Sequence, residues 1–366
     1  MTNEPGLASW LQLTLTPGLG AAALRTMLRE FGLPQAIVQK KRSELAPYAS
    51  PEVLAALDSA QVQHAVARSL EWAAAPGHSI ITLADEAYPR TLLEIPDPPA
   101  LLYAAGRTEL LRCPAFAIVG SRNASAQGVR NAETFAKALS DAGLTIVSGL
   151  ALGIDAAAHR GGLAGSGATI AVLGTGIDIV YPRLNTALAA RIAEGGLLLS
   201  EFAPGTPPAA QNFPRRNRLI SGLAQGCLIV EAALASGSLI TARTAADQGR
   251  EVFAIPGSIH SPLSKGCHAL IKLGAKLVES AEDILAELSG FRPSGFASTT
   301  TMQVGATESG LLRHMGHDPV DVDSLCARAG LSAEQVSSEL LRLELDGRIT
   351  SLPGGLYQRL EKGERR

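Results

Sequence analysis

Phe116-Ala117-Ile118-Val119-Gly120-Ser121-Arg122 is the stretch that decides the fold. Four apolar residues run without a polar interruption into a glycine, a small hydroxyl and a cation. A run this short does not make a buried helix, and being apolar on both faces it suits a strand covered on both sides. Comparable runs recur outward from it at Leu144–Val147, Thr169–Leu173, Leu197–Leu199, Leu228–Val230, Val252–Ile255 and Lys276–Val278, with helix-like segments between them. Two further runs, Ile80–Leu83 and Ala100–Tyr103, flank a proline-rich segment (Pro89, Pro96, Pro98, Pro99). Apolar strands alternating with helices predict an α/β fold: an extended Rossmann-like, doubly wound, mostly parallel sheet.

The flanks read differently. Residues 1–76 read as a small all-α N-terminal domain, with Leu24, Met27, Leu28 and Phe31 at helical spacing. Thr16-Pro17-Gly18-Leu19-Gly20 resembles the turn of a helix-hairpin-helix. With six basic and six acidic residues through Ala75, a plain glycine turn is the better reading. The sheet domain is expected over 77–290, followed by a Pro/Ser/Thr/Gly-rich linker over 291–306. Residues 307–366 show three helical stretches (309–315, 321–329, 332–345) and a hairpin turned by Pro353-Gly354-Gly355, a winged-helix-like C-terminal domain. Its third helix carries Glu334, Glu339 and Glu344 against Arg342, and the segment holds eight Lys/Arg and ten Asp/Glu. A duplex-reading helix should be basic, so a structural or protein-contact role is expected for it.

The whole chain of 366 residues carries 32 Lys+Arg against 34 Asp+Glu, a net charge of −2 that argues against coating DNA by bulk charge. Cys113, Cys227, Cys267 and Cys326 lie far apart, which argues for a reducing compartment and against a zinc ribbon or disulfide framework. The opening Met1-Thr2-Asn3-Glu4-Pro5 lacks a basic and an apolar region, and the uncharged run Gly161–Ile177 is too short to span a bilayer. A cytoplasmic protein with no membrane partner is expected.

In a doubly wound sheet, ligands bind beyond the carboxyl ends of the strands. The turns there are Gly120-Ser121-Arg122, Ser148-Gly149-Leu150, Gly174-Thr175-Gly176, Ser200-Glu201, Glu231-Ala232 and Pro256-Gly257-Ser258. Small residues leave backbone N–H groups and helix starts free to meet anions, phosphate first. Familiar cofactors do not fit: the first turn lacks G-x-G-x-x-G, the second strand ends without an acid, and no Gly-Lys dipeptide exists for a P-loop. Neither a metal cluster nor a catalytic set emerges. Ser148, Asp155 and His159 lack a nucleophile elbow, and they read as a capping Asp with a helix-surface His.

Local charge is more telling than the total. Phe202–Val230 contains no acid but has Arg215, Arg216 and Arg218; Leu110–Ala132 contains none but has Arg112, Arg122 and Arg130. In Gln211-Asn212-Phe213-Pro214-Arg215-Arg216-Asn217-Arg218, guanidinium forks suit phosphate, Asn212 and Asn217 suit base edges, and Phe213 suits stacking.

With these residues in place, the sequence resembles the DNA processing protein A family (DprA, also called Smf) over about Asp85–Leu288. The matching elements are Tyr88-Pro89, Asp97-Pro98-Pro99, Val119-Gly120-Ser121-Arg122, Ser148 to Asp155 with Ala158-His159, Leu173-Gly174-Thr175-Gly176 with Tyr181-Pro182, Phe213 to Arg218, Ser236 to Ala242, and Ile255-Pro256-Gly257. The resemblance implies a single-stranded DNA-binding protein that protects incoming DNA in natural transformation, loads the RecA recombinase and acts as a homodimer. It implies no cofactor and no enzymatic activity. It maps DNA contacts to Arg122, Phe213, Arg216 and Arg218, with Arg183 as the nearest basic residue after Tyr-Pro. Gln127 departs from the family's usual aromatic.

Together these readings predict a groove in which Gly120 and Gly237 amides and Ser121 and Ser238 hydroxyls meet phosphates, arginines clamp them and Phe213 stacks a base. Replacing Arg122 and Arg216 by Glu is expected to abolish binding without unfolding. The rival is a phosphoribohydrolase-like enzyme on the same sheet, whose P-G-G-x-G-T-x-x-E motif is absent here. The apolar stretch Cys267–Val278 is the expected dimer face.

Overall fold

The computed structural model describes residues 6–288, 310–316 and 318–360. The expected linker over 291–306 lies outside these residues. Nine strands of the described chain form one sheet: β1 (His78–Thr82), β2 (Leu101–Gly106), β3 (Ala115–Val119), β4 (Thr145–Ser148), β5 (Thr169–Val172), β6 (Leu197–Ser200), β7 (Gly226–Ile229), β8 (Glu251–Ala254) and β9 (Lys276–Leu277). Their order is β1-β2-β6-β5-β4-β3-β7-β8-β9. The pairs from β6 through β9 are parallel, whereas β1 and β2 add an antiparallel edge. This is the doubly wound α/β fold.

The order places the functional crevice. From β3 the chain winds outward through β4, β5 and β6, then returns to lay β7 on the other side of β3. The register aligns Val119 with Ile229, so both strands end level and their following loops diverge. A crevice opens where strand order reverses.

Side-chain alternation explains why helices cover both faces. Phe116 and Ile118 pack on one side with Phe135, Leu139 and Ile154 of the Ala126–Asp141 and Ile154–Ala164 helices. Ala117 and Val119 face the other side, against Leu219, Ile220 and Leu223 of the Asn212–Leu223 helix. Ala242 and Ala245 of the Ser238–Asp247 helix join that core.

The N-terminal segment is helical, as its periodicity predicts, and its core is not separate from the sheet. Trp10, Leu11, Leu13, Leu24 and Met27 share one apolar cluster with Leu101, Tyr103, Ala171 and Leu198. The Tyr103 hydroxyl lies 3.0 Å from that of Ser69, and burial pushes its pKa up to about 12. Residues 310–357 hold their own core around Leu311, Leu325, Val336, Leu340 and Ile349. There the first predicted helix is a 3-10 turn (Gly310–His314), followed by the Val322–Ala329 and Ala333–Leu345 helices and an antiparallel hairpin. Pro353-Gly354-Gly355 is the tip of that hairpin, with Gly354 and Gly355 at φ +85° and +74°.

Candidate nucleic-acid interface

At the strand-order reversal lies an open cleft of about 840 Å³. The loop after β3 supplies one wall, including Gly120, Ser121, Arg122 and Asn123. The start of the Asn212–Leu223 helix supplies Phe213, Arg216 and Asn217, and the loop after β7 supplies Ser236, Gly237 and Ser238. Asp155 and Tyr181 also line it. Two helices, starting at Asn212 and Ser238, direct their N-terminal turns at this space, and their partial positive charge favours an anion there.

The first turn must be glycine. A Cβ on Gly120 would lie 2.7 Å from Ile154 Cγ1 and 2.9 Å from the Glu231 carbonyl, because the Ile154–Ala164 helix and the β7 end both press on it. Ser121 is buried, and its hydroxyl accepts the Asn123 N–H at 3.1 Å, closing its own turn. Glu231 anchors the far end of this loop: its carboxylate accepts the Ser125 N–H at 2.9 Å and the Ser125 hydroxyl at 2.6 Å. That carboxylate bridges the two strands flanking the crevice. The sequence placed Glu231 at a strand end without assigning it a partner; an acid ending β7 opposite a Ser/Asn turn is the signal that marks it.

Arg122 is exposed and makes no salt bridge among the described residues, its charge acting on the buried Asp155 carboxyl without direct contact. Its guanidinium lies over the Phe213 ring, 5.8 Å from the centroid. Arg183 is exposed just after Tyr181-Pro182, near the cleft but outside its lining. Gly237 has no atom within 4 Å of where a Cβ would sit, so its backbone is open to a ligand. The Ser238 hydroxyl is buried, 2.7 Å from that of Ser236.

The remaining arginines part company. Arg216 is 4% exposed, and its Nη1 donates to the carbonyls of Gly149 (2.6 Å) and Val172. Burial lowers its pKa to about 10, with Asp155 opposing the shift, so it keeps its charge near neutrality. Arg215 and Arg218 turn away from the cleft to one buried carboxylate, Glu201 at the end of β6. Arg218 also donates to the Asp97 carbonyl, and Arg215 lies over Phe202. Burial pushes the Glu201 carboxyl upward while the Arg218 and Arg215 charges oppose it. Asn212 is half-buried and outside the lining. Thus the eight-residue loop read as one cationic surface divides into a cleft side and an ion-pair side, because it is helical from Asn212 and successive residues face different ways.

His159 corrects a sequence expectation. It is not on the helix surface but fully buried. Nε2 accepts the Leu150 N–H at 3.2 Å, and Nδ1 lies 2.8 Å from the Thr169 hydroxyl. That hydroxyl donates to the Ile146 carbonyl, so Nδ1–H is the donor and the ring is neutral. Burial drives its pKa down to about 3. Asp155 accepts the Gly149 and Ala151 N–H groups at 3.1 and 3.4 Å, and Asn185 donates to the Leu150 carbonyl at 2.8 Å. These contacts hold Leu150 at φ +58°, a strained left-handed conformation for leucine. Among the described residues, no group of three or more His, Cys, Asp or Glu could hold a metal ion, and no helix is long and apolar enough to cross a membrane.

Comparison with known proteins adds to this geometry. The model of the DNA recombination-mediator protein A family matches residues 79–289, and a DprA winged helix domain model matches 297–355. Protein Smf of Escherichia coli is 46% identical over 302 residues, spanning 80% of each chain. The DNA processing protein DprA of Streptococcus pneumoniae is 50% identical over 219 residues, 60% of this chain and 76% of the relative. The X-ray structure of that Streptococcus pneumoniae protein superposes with a TM-score of 0.68 at 39% identity, covering 77% of this chain and 98% of the other. A Helicobacter pylori DNA processing protein A structure, described for its single-stranded DNA binding mode, superposes with a TM-score of 0.52 at 32% identity over 57% of this chain and 94% of the other.

Proposed function

The chain belongs to the DNA recombination-mediator protein A family, and on that premise we propose that its strand-end cleft binds single-stranded DNA. The observation that carries this reading is the unpaired Arg122 set over Phe213 in a glycine-walled crevice facing two helix starts. A guanidinium beside aromatic rings suits phosphate next to an unstacked base. The Helicobacter pylori relative, described for its single-stranded DNA binding mode, supports the same ligand class. Gly120, Ser121 and Gly237 would meet the strand through their backbones, and Arg183 and Asn217 from the cleft edges. Arg216, Arg215 and Arg218 would act from behind, as framework.

The same reading makes the protein a recombination mediator that protects the incoming strand and delivers RecA onto it in the cytoplasm, without catalysing a reaction. A homodimer fits the far sheet edge, where Leu273 and Leu277 are exposed. Cys267 of the same stretch is buried, its thiol against the Ile229 and Val230 carbonyls at the β7 end.

Fluorescence anisotropy with labelled oligo-dT and a matched duplex, across a salt series, tests the proposal. Oligo-dT should bind more tightly than duplex, with affinity falling as salt rises. Arg122→Ala should weaken binding by about tenfold, and a chain lacking 307–366 should bind as the full chain does. Equal affinity for duplex, or binding lost with 307–366, would refute the assignment.

A further inference from the structure

The Ala333–Leu345 helix holds the position from which a winged helix reads duplex DNA, and its outward face does not suit that task. Val336, Leu340 and Leu343 point into the small core around them. At about 100° per residue, the opposite face carries Glu334, Ser338, Leu341 and Leu345 in one stripe. Leu341 is 59% exposed and Leu345 is 81% exposed. Single exposed leucines are ordinary, but two neighbours at i, i+4 on one face make an apolar strip that only a second surface can cover.

The charges around the strip say what that surface must be. Between residues 333 and 346, Glu334, Glu339, Glu344 and Asp346 stand against Arg342, and Arg342 already lies 3.7 Å from Glu339. Glu344 and Asp346 sit at the C-terminal end, where the helix dipole itself favours a cation. Phosphates of DNA or of a lipid surface meet only repulsion here, and a second copy of the same face would set acid against acid. The helix is also held in place. Ser332 and Gln335 close a capping box at its start, at 3.3 and 3.0 Å. At its end Glu344 accepts the Ser351 N–H at 3.1 Å and the Ser351 hydroxyl at 2.7 Å, fastening the last turn to the hairpin. A face presented from a held element loses little entropy on engagement.

We propose that this face is a docking surface for a partner protein that presents an amphipathic helix, apolar along one stripe and flanked by Lys and Arg. Leu341 and Leu345 supply the buried contact, and the surrounding acids steer the cationic partner and exclude nucleic acid. The winged helix thus recruits a protein while DNA stays at the strand ends of the sheet, and the assignment stands independently of the cleft's ligand.

The test uses the full chain and three labelled synthetic peptides, read by fluorescence anisotropy. The first is a helical peptide with a leucine stripe flanked by lysines. The second replaces those lysines by glutamates, and the third keeps the lysines but scatters the leucines off the stripe. The first should bind and the other two should not. Leu341→Ser with Leu345→Ser should weaken that binding by about tenfold or more. Glu334→Gln with Asp346→Asn should weaken it less and flatten its dependence on salt. Because all four side chains are exposed, both double variants should keep the wild-type melting temperature and oligo-dT affinity. Equal binding of the glutamate peptide or of the scattered one would overturn the proposal, as would wild-type peptide binding by the leucine variant. A changed oligomeric state of the leucine variant in sedimentation would assign the face to contact between copies, and loss of oligo-dT binding would assign it to the DNA path; either result overturns the proposal.

Discussion

Arg216 and Arg122 look alike in the sequence and have opposite duties in the fold. Arg122 is exposed without a carboxylate partner among the described residues, so its removal should move stability by no more than about 0.5 kcal/mol. Arg216 is buried, ties the β4 and β5 ends together through two carbonyls, and offsets Asp155. Taking it away leaves buried acceptors and a buried acid without their cation, an error that costs about 3–5 kcal/mol. Arg216→Glu, expected from sequence to spare the fold, instead places a second acid against Asp155. Urea unfolding of Arg122→Ala and Arg216→Ala should therefore separate the two: an unchanged midpoint for the first, a large drop for the second. An Arg216→Ala midpoint equal to wild type would mean that its bonds to the Gly149 and Val172 carbonyls do not support the framework.

At the scale of elements, the crevice is shaped by close backbone approach. Three pieces converge on Gly120: the β3 end, the Ile154–Ala164 helix and the β7 end. Gly153 is similarly constrained, at φ +72° with the Ser121 carbonyl 2.3 Å from where its Cβ would be. Gly120→Ala forces the helix start away from the sheet, and overpacking of this kind costs about 1–3 kcal/mol. Because Glu231 holds the other end of the loop, the displacement should pass to Arg122. The expected outcome is a lower denaturation midpoint together with weaker oligo-dT binding. Gly237→Ala, by contrast, meets open space and should leave stability unchanged. Comparing melting curves of the two variants decides between a packing glycine and a ligand-facing one.

At the scale of the molecule, the two flanking regions are attached differently. The N-terminal helices share a core with Leu101, Tyr103 and Leu198, and Arg25 pairs with Asp97 while Arg68 donates to the Pro204 carbonyl. Asp97 in turn meets Arg218 on the helix that carries Phe213. A chain begun at residue 77 would uncover Leu101 and Tyr103 and release Asp97. It should be less stable by several kcal/mol and prone to aggregate, since a buried apolar face of this kind has no other cover. A chain ended at residue 288 retains all three cores of the sheet region and should melt like the full protein. Differential scanning calorimetry of both truncations checks the contrast; an N-terminal truncation as stable as the full chain would contradict the shared core.

The apolar runs and the glycine turns after them were enough to establish the doubly wound sheet, because strand burial and tight turns are written in local composition. The resemblance carried by Gly120-Ser121-Arg122 and the Phe213 segment pointed to the same rim. What composition cannot contain is which of several arginines finds a carboxylate. Glu201 lies one residue outside the acid-free stretch beginning at Phe202, yet it captures Arg215 and Arg218 once β6 and the Asn212–Leu223 helix are neighbours. His159 and Glu231 likewise take their meaning from residues far off in sequence. Local pattern determines elements, since it reports periodicity and burial. Only the packed structure decides which charges remain unpaired and which side chains stay exposed, because pairing and exposure are properties of neighbours in space.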